Sequence, residues 1–191
     1  NASLLLVGEA GSGRGALARF AHESGPRAAN GCVSLVASSI PAAADAYLFG
    51  TETPTGMIPG VLDQAQGGTL YIQEVEDLAP SVQRLLLGVI ETGRFLRVGA
   101  ASDSAITFNA RIVATALPGV EVRAGPATGL RRDLLTHLSG VLVRVPPLRD
   151  YAEDVPDLLR FYVERTADAE KLPLRRFSVA AQNRLRNYPW P

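Results

Sequence analysis

Four consecutive apolar residues, Leu4-Leu5-Leu6-Val7, run directly into Gly8-Glu9-Ala10-Gly11-Ser12-Gly13-Arg14-Gly15, and then into Ala16-Leu17-Ala18-Arg19-Phe20-Ala21 at helical spacing. An apolar run that stops at glycines and resumes as a periodic helix predicts a buried strand, a tight loop and a helix. The spacing Gly8-x-x-x-x-Gly13 ahead of a helix is that of a phosphate-cradling loop. Glycines let successive backbone N–H groups turn inward, and the helix N-terminus adds its positive dipole end. Each of Gly8, Glu9, Ala10, Gly11, Ser12, Gly13, Arg14 and Gly15 is therefore a candidate nucleotide-binding position.

Buried-strand signals recur at Val33 to Val36, Thr69 to Ile72, Arg111 to Ala114 and Val141 to Val145. Between them, Ser81 to Thr92 and Asp154 to Ala167 carry apolar residues at helical spacing. Alternation of strands and helices predicts an α/β sandwich with a mainly parallel sheet. Phe95 to Val98 and Ala105 to Phe108 read as an inserted hairpin. The polar stretch Asp168 to Leu174 reads as a hinge before a last helix from about Ser178 to Asn187. The expected division is thus a nucleotide-binding α/β part over 1–167 and a shorter helical part over 168–191, and the ending Tyr188-Pro189-Trp190-Pro191 reads as a domain interrupted.

Balanced charge, 19 basic against 19 acidic residues, gives no overall field to draw this segment onto nucleic acid or an anionic membrane. No apolar run approaches the ~18 residues of a membrane span, and the single cysteine, Cys32, excludes an internal disulfide framework. A cytoplasmic setting is expected.

Three positions, two in the loop and one at the end of a later apolar strand, depart from ATPase chemistry. The position after Gly13 calls for lysine, whose compact ammonium reaches the terminal phosphates, and holds Arg14; the next calls for a hydroxyl toward Mg²⁺ and holds Gly15. The strand Gly67-Gly68-Thr69-Leu70-Tyr71-Ile72 ends in Gln73-Glu74, so a neutral amide stands where a metal-holding carboxylate is needed. Glu74 remains as the candidate catalytic base, expected to be idle. Mg²⁺ should be weakly held or absent, and no metal ligand is assigned.

The stretches Gly8 to Arg14, Tyr47-Leu48-Phe49-Gly50, Gly67 to Glu74 and Gln83-Arg84-Leu85-Leu86 occur in this order along the chain. Gly93-Arg94-Phe95-Leu96-Arg97-Val98-Gly99, Arg111-Ile112-Val113-Ala114, Arg131-x-Asp133-Leu134 and Pro146-Pro147-Leu148-Arg149-Asp150 continue it. Together they resemble the AAA+ central domain of bacterial enhancer-binding proteins, the NtrC-type activators of sigma-54 RNA polymerase. The resemblance implies a P-loop AAA+ three-layer sandwich followed by the start of a small helical lid. It implies ATP or ADP as ligand and a homo-oligomer, dimer or ring, formed through the AAA+ face. DNA would be contacted only through a separate helix-turn-helix domain outside this chain, without membrane involvement. It also gives Arg131 the role of an arginine finger acting on the neighbouring subunit's site.

Further departures appear once the family is in view. Leu117 stands where the family places a polar phosphate sensor, and His137 where it places a second arginine. The loop that touches the sigma factor would lie between Phe49-Gly50 and Gly60-Val61-Leu62-Asp63, where only Thr51 to Pro59 fill the space. The expectation is a degenerate AAA+ domain of a transcriptional regulator, impaired in hydrolysis and in contact with RNA polymerase. Its retained role would be assembly and regulation. The alternatives are a slow but active ATPase, or a module that responds to cyclic dinucleotides or serves as an oligomerisation scaffold alone. His22 and Cys32 read as packing residues, and Arg175, Arg176, Arg184 and Arg186 as solvated surface.

Overall fold

The computed structural model describes residues 2–125 and 129–190, and the chain divides into two compact units, Asn1–Val145 and Pro146–Pro191. In the first unit the order is β1 (Leu4–Gly8), α1 (Arg14–Glu23), β2 (Cys32–Val36), α2 (Ala44–Phe49), β3 (Gly50–Thr53), β4 (Gly56–Pro59), α3 (Val61–Gln64) and β5 (Thr69–Gln73). It continues with α4 (Pro80–Thr92), β6 (Arg94–Phe95), β7 (Ile106–Thr107), β8 (Arg111–Ala116), α5 (Val120–Arg123), α6 (Arg132–Leu138) and β9 (Val141–Val145).

Five strands form one parallel sheet in the order β2-β5-β8-β1-β9. β1 is buried along its whole length because helices cover both faces, which is why it reads as a continuous apolar run and not as an alternation. Leu5, Val7, Leu35, Leu70, Ile72, Ile112 and Ala114 point to one face and pack with Leu48, Leu62, Val82, Leu86, Leu134 and Leu138. Leu4, Leu6, Tyr71 and Val113 point to the other and meet Ala18, Leu17 and Ala21 of α1. The α/β, mainly parallel, layered architecture expected from the sequence is the one observed. α4 starts at a proline in its first turn and stops at Gly93 in left-handed conformation, the ordinary start and stop signals of a helix.

The segment Thr51 to Pro59 is part of a hairpin. β3 and β4 pair antiparallel from Gly50↔Pro59 to Thr53↔Gly56, so Pro54 and Thr55 make the turn. Arg97 braces its base, with Nη2 2.8 Å from Asp63 Oδ1 and Nη1 3.4 Å from Glu52 Oε2. At that base Gly50 has φ +77°, and a Cβ there would lie 2.6 Å from Gly60 N and against Ile58 O. Gly50→Ala should therefore cost about 2–5 kcal/mol, the left-handed penalty plus overpacking against backbone. Urea unfolding of the variant measures it, and a change near zero would mean that the hairpin base gives way freely.

The expected inserted hairpin is present as β6 paired with β7, shorter than its sequence signal. The second unit carries α7 (Val155–Glu170) and α8 (Val179–Arg186), with Ser178 Oγ accepting from Ala181 N at the start of α8. The expected boundary at 167/168 falls inside α7, which belongs wholly to this unit. The break follows β9, where Pro146-Pro147 cannot extend the ladder. Of the ending Tyr188 to Pro191, Pro191 lies outside the described residues, and Trp190 Nε1 donates to Leu185 O at 3.0 Å. Among the described residues no helix is long and apolar enough to cross a membrane.

Candidate functional site

The glycine-rich loop joins β1 to α1 at the C-terminal end of the parallel sheet, where ligands of open α/β sheets sit. Gly11 (φ +80°) and Gly13 (φ +90°) hold the left-handed conformations that turn the loop, and Gly13 caps α1. Gly8 is needed for another reason: a Cβ there would lie 2.6 Å from Val145 O and 2.7 Å from Ser12 Oγ, so β9 and the loop close directly on its backbone. Ser12 N donates to Glu9 O at 3.2 Å, and Glu9, Ala10 and Gly11 form the outer turn.

Arg14, the first residue of α1, is 8% exposed. Among the described residues, three buried side-chain polar atoms lack a partner: Arg14 Nη1, Ser12 Oγ and Glu76 Oε2. Two of the three belong to this loop, although buried polar groups are ordinarily satisfied. Gly15 leaves room for the Tyr71 hydroxyl, which lies 3.4 Å from where a Cβ at that position would be. Burial pushes the Tyr71 hydroxyl above its usual value, against the lowering influence of the Thr115 hydroxyl and of the Arg14 charge.

At the end of β5, which β8 separates from β1, Gln73 Nε2 donates to Ser34 Oγ on β2. Glu74 follows with φ +56°, a left-handed backbone that strains a residue with a side chain by about 1–3 kcal/mol. Its N–H donates to Thr115 Oγ1 at 3.1 Å, and its side chain is exposed. Glu76 Oε1 accepts from Leu117 N at 2.7 Å, so the acid beyond the strand braces the end of β8. A cavity of about 620 Å³ flanks this edge, lined by Gly15, Arg19, Ser34, Tyr71 and Gln73 among others. Tyr71, Ser34, Thr115 and Glu76 received no role from the sequence, because pairing across strands brings them together; the even spacing Tyr71, Gln73 was the one available signal.

These residues do not fit a bound Mg²⁺. That ion takes near-octahedral oxygen coordination and favours carboxylates, whereas the two ligand positions hold a glycine and an amide tied to Ser34. Arg14, next to Gly15 in the chain, is itself a buried cation. Among the described residues no group of three or more His, Cys, Asp or Glu side chains gathers as a metal site.

Arg131 is placed elsewhere, as the N-cap of α6, with its exposed guanidinium 3.0 Å from Asp133 Oδ1 through Nε. The hydrogen bond from Arg131 holds the Asp133 carboxyl below its usual value. The Arg131 backbone N–H donates to Gln83 Oε1 at 2.8 Å, while Gln83 Nε2 donates to Leu78 O at 2.7 Å and Gly129 O at 2.9 Å. Gln83 is 1% exposed and is the residue that holds the Arg131 segment on α4, a role the sequence did not reveal. His137 stands exposed, 3.7 Å from Glu91. His22 is buried, with Nδ1 2.9 Å from Thr69 Oγ1. Cys32 begins β2 as read from the sequence but is exposed there, on an edge strand, and is not packed in the core.

A family profile described as the Sigma-54 interaction domain matches residues 1–144. The chain is 36% identical over 196 residues to the DNA-binding transcriptional regulator NtrC of Rhizobium meliloti (strain 1021), covering 99% of this chain and 40% of that protein. Among solved structures, NtrX from Brucella abortus in complex with ADP aligns at a TM-score of 0.85 with 30% identity, over 99% of this chain and 42% of that one. The same protein in complex with ATP aligns at 0.84 with 28% identity, over 99% and 43%. The chain spans about two fifths of the length of the curated relatives it matches. With the loop, the parallel sheet and the profile all covering the same residues, the chain belongs to the Sigma-54 interaction domain family, the AAA+ domain of NtrC-type transcriptional regulators.

Proposed function

We propose that this domain binds nucleotide to control the assembly of a sigma-54-type transcriptional regulator, and that it has given up ATP hydrolysis and the sigma-factor contact. The observation that carries the reading is the pair Arg14 and Gln73. Where hydrolysis needs a compact ammonium on the terminal phosphates and a carboxylate on the metal, the chain supplies a buried guanidinium and an amide bonded to Ser34. Leu117 and His137 supply neither a polar sensor nor a second arginine. The solved complexes of NtrX with ADP and with ATP support nucleotide as the ligand class. The unit Pro146–Pro191 is read as the start of the lid, self-association as running through the α/β unit, and DNA contact as belonging to a separate domain.

The test is phosphate release from ATP with Glu74→Ala as control. Turnover of the unaltered chain should match that of the variant, since Glu74 has no metal-bound phosphate to act upon. Turnover well above the variant's would instead support the slow ATPase. One observation favours that second reading: Glu74 is held exposed just past the end of β5 in a strained conformation, as a working base would be.

A further inference from the structure

Resting on the reading that this loop takes a nucleotide, we propose that it takes the phosphates free of metal. The buried guanidinium of Arg14 is their fixed counter-cation, and the ligand is a metal-free nucleoside di- or triphosphate. α1 has ten residues and begins at the loop with Arg14 itself, so its unpaired first backbone N–H groups and the buried guanidinium belong to the same turn of the chain. Arg14 is more than nine-tenths buried and Nη1 has no partner. A buried donor on a charged group is costly when unsatisfied, and a phosphate oxygen is the acceptor that removes the cost. A guanidinium can present two parallel N–H groups to two phosphate oxygens, which an ammonium cannot. Ser12 Oγ, also buried and unpartnered, adds a hydroxyl to the same loop.

The metal is excluded by the same residues. A phosphate chain complexed with Mg²⁺ would carry a divalent cation and its waters toward Arg14, with neither a hydroxyl from Gly15 nor a carboxylate at Gln73 to hold it. The hydroxyl that does reach this place belongs to Tyr71 and is neutral, since burial raises its pKa. The site thus replaces a diffusible dication with a cation built into the chain.

Calorimetric titration of the chain with ADP, ATP and sodium tripolyphosphate, in a chelator and then in excess Mg²⁺, tests this. Binding should be at least tenfold tighter in the chelator for all three. Arg14→Met should lose at least tenfold in chelator, while its ligand-free melting temperature should equal or exceed that of the unaltered chain because an unsatisfied buried donor is gone. Tighter binding in Mg²⁺ would overturn the metal-free site and leave nucleotide binding intact. Retained affinity in Arg14→Met would overturn the role of the guanidinium. Nucleotide binding in neither condition would overturn this proposal and the functional reading together. Should Arg14→Met not fold, the comparison of the two conditions on the unaltered chain decides.

Discussion

The double substitution Arg14→Lys and Gln73→Asp should reverse the effect of Mg²⁺, so that nucleotide binds about a hundredfold tighter in Mg²⁺ than it does to the unaltered chain. The tenfold weakening that Mg²⁺ causes in the unaltered chain is removed and one charge-assisted contact, from the new carboxylate to the metal, is added, each worth about 1.4 kcal/mol or tenfold. A compact ammonium again faces the phosphates, and a carboxylate beside Ser34 again offers a hard ligand to the metal. Hydrolysis should recover only in part. An arginine finger is worth about 10³–10⁵ in rate and one oriented charge about 10²–10³, and Leu117 and His137 remain unchanged. These factors do not multiply simply. Activation of sigma-54 transcription should stay absent in a full-length regulator carrying the repair. The reason is geometric: Gly50–Thr53 and Gly56–Pro59 pair through to a two-residue turn, and their base is closed on Gly50 and Gly60 and braced by Arg97. No change at the phosphate site can lengthen that hairpin. Open-complex formation in vitro at a sigma-54 promoter decides it, and its appearance would show that this hairpin suffices for the contact.

The second large effect is structural. Gln83→Leu should destabilise the α/β unit by about 3–5 kcal/mol, because Leu78 O, Gly129 O and the Arg131 N–H all lose their partner together. A buried polar group left unsatisfied costs about 1–3 kcal/mol, and the leucine returns only part of this as apolar burial. Gln83→Glu should also fail, since a carboxylate accepts from Arg131 N but cannot donate to two carbonyls. Urea unfolding reads the loss, and faster amide exchange at Arg131 should accompany it. A loss below about 1 kcal/mol would mean that the 129–131 segment finds other partners.

Much of this protein was written in local pattern. The apolar run Leu4 to Val7, the glycines that follow and the helical repeat after them specify β1, the phosphate loop and α1, because strand burial, left-handed turns and helix periodicity are each short-range. The absences are equally local: Arg14, Gly15 and Gln73 can be read as departures without any coordinates. The end of the α/β unit was less legible, since α7 carries the same apolar repeat whichever unit it joins.

What only the tertiary structure decided is what surrounds those departures. Only the packed chain shows that Arg14 is buried with an unpartnered nitrogen; that Tyr71 brings a hydroxyl against Gly15, that Ser34 holds Gln73 and that Gln83 holds the Arg131 segment depend on residues 39 to 56 positions apart meeting across strands and helices. Such contacts leave no periodic trace in the sequence. Burial and hydrogen-bond satisfaction are properties of the packed ensemble of neighbours, and a side chain's chemistry at a site follows from them as much as from its identity.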